Sequence, residues 1–196
     1  MKSKPQLVLD IAGVLVNNIS FDFWKELGRE SGVTFQAIKE KFDEIRRDLW
    51  TGILSEDQFW IWLVDCFTGI NKERSKDILI KSLKLLPSAH YLEQWSQQAD
   101  IHLLSNHCKE WIEPVLTSIK EYTKSVTISN QIGLCKPDIQ IYELVELNLG
   151  SRERVLYIDD QEKNLKSAIK LGWNTLLADN QNKWVKDVET FIRADV

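Results

Sequence analysis

Residues 6–16, QLVLDIAGVLV, decide the fold of this chain. The run LVL at 7–9 is continuously apolar, which is typical of a strand buried on both faces of a parallel sheet. This run ends on a carboxylate, Asp10, and we expect the chain to turn sharply at the nearby Gly13. A buried strand that ends on a carboxylate indicates a functional site at that edge of the sheet.

Four further apolar runs end in polar residues, and helical patterns lie between them. The runs are DIHLLS (100–105), SVTIS (125–129), RVLYID (154–159) and NTLLAD (174–179). Helices are predicted between these runs, at 107–121, 138–148 and 161–172. Short strands that alternate with helices predict a doubly wound, Rossmann-like parallel sheet of the α/β class.

Residues 17–86 interrupt this alternation because they carry helical patterns and no strand pattern. Helices are predicted near 20–31, 34–49, 55–68 and 72–85, with Thr34 and Ser55 as N-caps and a capping box in SEDQ (55–58). We therefore predict a core of residues 1–16 plus 87–196 and an inserted all-helical unit, residues 17–86, called the helical cap. An insertion after the first strand lies over the carboxyl ends of the strands, where open α/β sheets bind ligands.

The composition argues against several classes of function. Hydrophobic residues are 43% and charged residues 28% of the chain, as in ordinary globular proteins. A net charge of −4 gives no support for a nucleic-acid or membrane partner, and no apolar run approaches the roughly 18 residues of a membrane span. The three cysteines lack CxxC spacing, which argues against a disulfide framework or a zinc cluster and favours a cytoplasmic location.

Polar side chains follow the predicted strands at their carboxyl ends. They are Asp10, Ser105, Lys136 and the adjacent pair Asp159 and Asp160. Because these ends share one edge of a parallel sheet, we expect the side chains to converge. Three carboxylates so close repel one another unless a cation lies among them, and oxygen ligands favour Mg²⁺.

Such a site suits phosphoryl transfer. The Lys136 ammonium, the Ser105 hydroxyl and Mg²⁺ would neutralise the peripheral oxygens of a phosphoryl group. Asp10 would then attack phosphorus and form an aspartyl-phosphate, which water later cleaves. The sequence therefore predicts a site for phosphoryl transfer with a water-cleaved aspartyl-phosphate.

Four motifs in this order closely resemble those of the haloacid dehalogenase (HAD) superfamily. They are VLDIAGVLV (8–16), LLSN (103–106), GLCKPD (133–138) and YIDDQEKN (157–164). The resemblance covers essentially the whole chain and implies that the helical cap is of type I. It is nearest to the branch of small bacterial sugar phosphatases that includes the α-glucose-1-phosphatase type.

The resemblance implies roles for the residues that carry the chemistry. Asp10 looks like the nucleophile, Ser105 and Asn106 like the groups that hold the phosphate, and Lys136 like the bridge between nucleophile and phosphate.

The resemblance also implies how Mg²⁺ is held. Asp10 and Asp160 would bind Mg²⁺ directly, Asp159 directly or through water, and Ala12 through its backbone carbonyl. Asn164 looks like a supporting partner one helical turn after the acidic pair. The expected partner is a small phosphorylated metabolite, with no nucleic acid or membrane, and the chain would act as a monomer or homodimer.

Ala12 departs from the pattern, because most phosphatases of the superfamily carry at this position an Asp that acts as general acid and base. A methyl group does neither, and such catalysis is worth roughly 10²–10⁴-fold in rate. Three hypotheses stay open: a phosphatase for easier leaving groups or with another proton donor, a phosphonatase or dehalogenase, and an inactive binding protein. The retained acidic pair at 159–160 favours the phosphatase, since the resembling dehalogenases use no metal.

Aromatic residues of the third cap helix are predicted to be the core of the cap, with substrate contact as the alternative. They are Phe59, Trp60, Trp62 and Phe67, together with Leu63. Trp50 is a second candidate for substrate contact. His107 either faces the crevice or begins a helix, and the helix start is the favoured interpretation.

Overall fold

The computed structural model describes residues 3–194, which fold around a sheet of five parallel strands. The strand order is β3-β2-β1-β4-β5. The strands are β1 (Gln6–Leu9), β2 (Asp100–Ser105), β3 (Ser125–Ile128), β4 (Val155–Asp159) and β5 (Asn174–Leu177). The predicted Rossmann-like α/β fold is confirmed.

Strand β1 lies at the centre of the sheet because it can be buried on both faces. All four of its residues are buried, and Leu9 lies between Leu103 of β2 and Ile158 of β4. The N–H of the next residue, Asp10, donates to the Ile158 carbonyl at 2.9 Å. The pairing therefore fixes the Asp10 backbone at the carboxyl edge, between two strands that carry their own polar residues.

Six α-helices belong to the described part of the chain after Pro87, besides two short 3₁₀ helices, Pro87–Tyr91 and Lys120–Tyr122. They are α5 (Leu92–Gln98), α6 (Lys109–Ile119), α7 (Ser129–Ile132), α8 (Ile139–Glu146), α9 (Glu162–Lys170) and α10 (Trp184–Arg193). The helices predicted at 107–121, 138–148 and 161–172 correspond to α6, α8 and α9. The sequence pattern did not predict α5, α7 and α10, and α7 is a single turn that ends at Gly133 in the left-handed conformation.

Four helices lie between β1 and Pro87. They are α1 (Phe21–Ser31), α2 (Phe35–Trp50), α3 (Glu56–Cys66) and α4 (Lys72–Ser82). The predicted N-caps are confirmed, because the hydroxyls of Thr34 and Ser55 accept from Ala37 N–H and Gln58 N–H. Ser55 and Gln58 also form the predicted capping box, which satisfies backbone donors that a helix start leaves unpaired.

A buried carboxylate joins these helices to the core. The Glu56 carboxylate of α3 accepts from the indole N–H groups of Trp60 and Trp111 and pairs with Lys76 Nζ at 2.9 Å. Trp111 belongs to α6, so the contact holds α3 against the sheet layer. One cluster of buried side chains includes both tryptophans, and the division into residues 17–86 and a separate core stays a prediction.

The aromatic residues of α3, and Phe67 just after it, pack mainly within this cluster. Phe59, Trp60 and Leu63 are fully buried, Phe67 is nearly so, and Trp62 is partly buried against them. The interpretation of this face as packing core is therefore confirmed.

Two expectations about the whole chain can be compared with the described residues. The three cysteines are free thiols, and only Cys66 is exposed. Within residues 3–194, no helix has the length and apolar character that crossing a membrane requires.

Candidate active site

Asp10 is the buried carboxylate at the centre of the site. Its side chain is 5% exposed, and its two oxygens have different partners. Oδ1 accepts from the Ile11 N–H at 2.7 Å, and Oδ2 lies 2.8 Å from Lys136 Nζ. The chain therefore orients this carboxylate from its own backbone on one side and from a cation on the other.

Lys136 is the buried cation that joins two strand ends. Its Nζ lies 2.8 Å from Asp10 Oδ2 and 2.7 Å from Asp159 Oδ2, and it donates to the Leu104 carbonyl at 3.3 Å. Burial alone would lower the pKa of this ammonium, but the two carboxylates outweigh burial and raise it. Lys136 therefore stays charged and holds Asp10 and Asp159 together.

Asn106 positions Lys136 through its backbone. The Asn106 side-chain oxygen accepts from the Lys136 N–H, and its amide donates to the Lys136 carbonyl, both at 2.8 Å. The sequence interpretation made Asn106 a phosphate-binding residue. In the structure its side chain is already engaged on both polar atoms, so it fixes the loop that presents the lysine.

Asp159 is saturated with hydrogen bonds. It accepts from the Tyr157 hydroxyl, from the Gln161 N–H at 2.8 Å and from Asn164 Nδ2 at 2.9 and 3.0 Å, besides the ion pair with Lys136. Burial alone would raise its pKa, but the Lys136 charge and these donors outweigh burial and lower it. Asp159 is therefore the permanent counter-charge of Lys136.

Asn164 takes the place that the sequence predicted for it, one helical turn after the acidic pair and in contact with Asp159. Its own carbonyl accepts from the Tyr142 hydroxyl at 2.9 Å, and its side-chain oxygen has no hydrogen-bond partner within residues 3–194.

Asp160 has a free oxygen. Its Oδ2 accepts from Asn18 Nδ2 at 3.0 Å, whereas its buried Oδ1 has no hydrogen-bond partner among the described residues. A Cβ on Gly13, whose φ is +83°, would lie 2.2 Å from Asp160 Oδ2. Glycine is therefore required at position 13 both for the turn and for the approach of this carboxylate.

The three carboxylates fit a divalent cation. One oxygen from each of Asp10, Asp159 and Asp160 lies within 4.8 Å of the others. With all three carboxylates ionised, they and the Lys136 ammonium would carry a net charge of −2, which one divalent cation would balance. The unpartnered Asp160 Oδ1 is a ready ligand atom, and carboxylate oxygens suit a hard ion.

Burial, and to a smaller extent the neighbouring carboxylates, disfavour the ionised form of Asp10. Burial raises its pKa to about 8 against the opposing effect of Lys136, and the charges of Asp159 and Asp160 add to the rise. Asp159 accepts more hydrogen bonds than Asp10, so Asp159 is the carboxylate that stays ionised beside the shared ammonium. A cation beside Asp10 would lower its pKa and keep it ionised at neutral pH.

Ser105 ends β2 as predicted. Its side chain is fully buried, and its hydroxyl has no hydrogen-bond partner within residues 3–194. Leaving a buried polar group unpaired costs free energy, so such groups are frequent where a ligand supplies the partner.

A cavity of about 450 Å³ opens beside these groups. Of the predicted site residues, Asp10, Ala12, Asn106, Lys136 and Asn164 line it, whereas Ser105, Asp159 and Asp160 do not. The lining also includes aromatic and charged residues of the helical cap, among them Trp24, Phe42 and Trp50.

His107 lies at the join between the cap and the core. It lines the cavity, and its ring lies 5.7 Å from that of Trp50, with Nδ1 3.1 Å from the Cys108 carbonyl. Burial lowers the pKa of His107 to about 4, so the imidazole is neutral at pH 7 and is a poor proton donor.

His107 should make stability fall in acid. The pKa of His107 is about 4 in the folded state and 6.5 in the unfolded chain, so the unfolded chain binds a proton at a higher pH than the folded state does. The free energy of unfolding therefore falls by up to about 3 kcal/mol as the pH drops from 6.5 to 4. We expect His107→Asn, which keeps a donor near Nδ1, to remove this part of the pH dependence. Urea unfolding at several pH values measures it, with exposed His90→Gln as the control; equal pH profiles for His107→Asn and wild type would contradict the assignment.

Two polar contacts and one helix face at the site were not predicted from the sequence. The sequence could have indicated the contact of Tyr157 with Asp159, because residues two apart in a strand share a face and Tyr157 precedes Asp159 by two. The sequence could also have indicated the charged face of α2, because Lys39, Asp43 and Arg46 recur at helical spacing. Asn18, which donates to Asp160, lies in a loop and had no sequence signal.

Comparison with known proteins supports the fold. No protein-family model matches the sequence, and the curated proteins include no match. A predicted HAD-like family hydrolase from Porphyromonas gingivalis matches with a TM-score of 0.80 and 23% identity over 97% of this chain and 98% of its own. A HAD family enzyme from Bacteroides thetaiotaomicron, in complex with magnesium and inorganic phosphate, matches with a TM-score of 0.80 and 21% identity over 94% and 98% of the two chains.

A dehalogenase structure is also similar, with a TM-score of 0.67 and 22% identity over 93% of this chain and 88% of its own. These solved structures share an architecture with the chain at low sequence identity, which supports the fold that the resemblance of the four motifs implied. The chain has the fold of the HAD-family enzymes.

Proposed function

We propose that this protein is a Mg²⁺-dependent hydrolase of small phosphate monoesters that works through an aspartyl-phosphate on Asp10. The observation that carries the proposal is the buried group of Asp10, Lys136 and Asp159 beside the unpartnered Asp160 oxygen. The B. thetaiotaomicron enzyme, of similar fold and crystallised with magnesium and inorganic phosphate, adds support.

Asp10 and Asp160 would hold the metal, with the Ala12 carbonyl as a further oxygen ligand and Asp159 bound to it directly or through water. When bound, Mg²⁺ would supply positive charge to the phosphoryl oxygens and shield Asp10 from them. Lys136 and the Ser105 hydroxyl would neutralise and bind the same oxygens.

The chemical steps balance with one water molecule. A carboxylate oxygen of Asp10 forms a bond to phosphorus while the P–O bond to the alcohol breaks, and the departing oxygen takes a proton from a water molecule. The hydroxide that remains attacks the same phosphorus, which breaks the P–O bond to Asp10 and releases inorganic phosphate. The net reaction consumes one water per ester.

Phosphate release from a panel of small esters, with Mg²⁺ and with EDTA, tests the proposal. Turnover that requires Mg²⁺ supports it. The absence of turnover on every ester, activated aryl phosphates included, would overturn it and favour an inactive binding protein or a carbon–phosphorus or carbon–halogen substrate.

Ala12→Asp is expected to raise activity on esters with poor leaving groups by about 10–10²-fold, because an acid at this position would protonate the departing oxygen. Esters with good leaving groups need no such proton and should change little. The measurement is kcat across a series of aryl phosphates of graded leaving-group pKa. An equal change in kcat for every ester of the series would mean that proton donation is not what limits the wild type.

A further inference from the structure

One face of α2 lines the cavity and carries charge. Lys39, Asp43, Arg46 and Trp50 recur at spacings of four, three and four residues, so they share one side of the helix. The neighbouring side, with Ile38 and other apolar residues, is buried in the cap core. Packing of that apolar side therefore directs the charged face to the cavity.

The cavity wall is cationic although the chain is acidic. The chain has a formal net charge of −4. The cavity is lined by five cationic and only two acidic residues, namely Lys39, Arg46, Arg47, Lys136 and Lys163 against Asp10 and Asp43. The excess of positive charge is thus concentrated where a ligand would bind.

Most of these cations already have partners. Lys136 is used by Asp10 and Asp159, Arg46 Nη1 lies 2.8 Å from Asp43, and Arg47 Nη2 lies 2.7 Å from Asp138. Lys39 and Lys163 have no ion pair within residues 3–194, and both are exposed to the cavity solvent. Lys39 belongs to α2 and Lys163 to α9.

Lys39 lies near the amino end of α2. The carboxyl end of α2 is fixed against the core, since Trp50 lies on His107 and Arg47 pairs with Asp138, close in sequence to Lys136. Lys39 lies eight residues before Arg47, which is about 12 Å along the helix axis. The Lys39 backbone is therefore held away from the contact between Arg47 and Asp138, although Lys39 lines the same cavity as Asp10.

We propose that the substrate carries a second anionic group, a phosphate or a carboxylate, which Lys39 and Lys163, the two cations of the cavity wall without an ion pair among the described residues, bind while Asp10 attacks the phosphate ester. This inference rests on the proposed function and names its substrate class. Simple sugar monophosphates would be poorer substrates than esters charged at both ends.

Matched pairs of esters test this class. We would measure kcat/KM for glycerol 3-phosphate against 3-phosphoglycerate and for glucose 6-phosphate against glucose 1,6-bisphosphate. The wild type should prefer the doubly anionic member by at least about tenfold, and Lys39→Met with Lys163→Met should reduce that ratio by at least about fivefold. Lys41→Met and Lys166→Met, exposed lysines of the same two helices that do not line the cavity, should leave the ratio unchanged.

Binding separates this inference from the proposed function. Calorimetric titration of the Asp10→Asn protein with the same pairs measures selectivity without turnover. Selective binding without wild-type turnover would support the second-anion site and overturn the phosphatase. Turnover without preference, or a preference that the double lysine variant keeps, would overturn the second-anion site and leave the phosphatase standing.

Discussion

Asp10→Asn should lower phosphate release by at least about 10⁴-fold, the scale seen when an enzyme loses its nucleophile. The amide is neutral and does not attack phosphorus, although it fills the same space between β2 and β4. Steady-state phosphate release measures the loss. Acid quenching of the wild type during turnover, followed by mass analysis, should find the phosphoryl group on the peptide that contains Asp10.

The fold should survive this substitution. The Asn oxygen can accept from either the Ile11 N–H or the Lys136 ammonium, but not from both in the present geometry, so we expect a loss of only about 1–2 kcal/mol in the free energy of unfolding. Asp65→Asn, at an exposed position of α3, is the matched control and should be active. Turnover close to wild type in Asp10→Asn would remove Asp10 from the nucleophile role.

Lys136→Met should abolish turnover and also lower the free energy of unfolding by about 3–5 kcal/mol at neutral pH, as expected when one partner of a buried ion pair is removed. The change leaves Asp10 and Asp159 buried beside each other without their shared cation. Urea unfolding of the protein without added metal measures the effect, with the exposed Lys170→Met as control.

The pH dependence of this variant gives a second measurement. Without Lys136, the pKa values of both carboxylates rise, so the folded state binds more protons than the unfolded state in mild acid. The deficit in unfolding free energy should therefore shrink as the pH is lowered from 7 toward 5. Adding Asp159→Asn should recover part of the stability without recovering turnover, whereas wild-type stability for Lys136→Met at pH 7 would contradict the role of Lys136 as the charge that holds the site.

Much of the fold is encoded in local patterns. The continuous apolar runs predict all five strands, since only a sheet covered on both faces buries such runs, and Thr34 and Ser55 mark two helix starts by cap chemistry. The same patterns predict that Asp10, Lys136 and Asp159 converge, because parallel strands end at one edge. Short helices such as α7 are not predicted from the sequence, because a single turn held by its neighbours is too short to show a helical period of apolar residues.

The sequence by itself determined the sheet, the edge that carries the polar residues and the types of group that meet there. Only the tertiary structure decided how those groups share their charges. Asp159 takes most of the donors and Asp160 keeps a free oxygen, while Asn106 holds the Lys136 backbone. Hydrogen bonds and ion pairs form or fail on differences of a few tenths of an ångström in the distances between residues far apart in the chain. Those distances are set by packing rather than by sequence spacing.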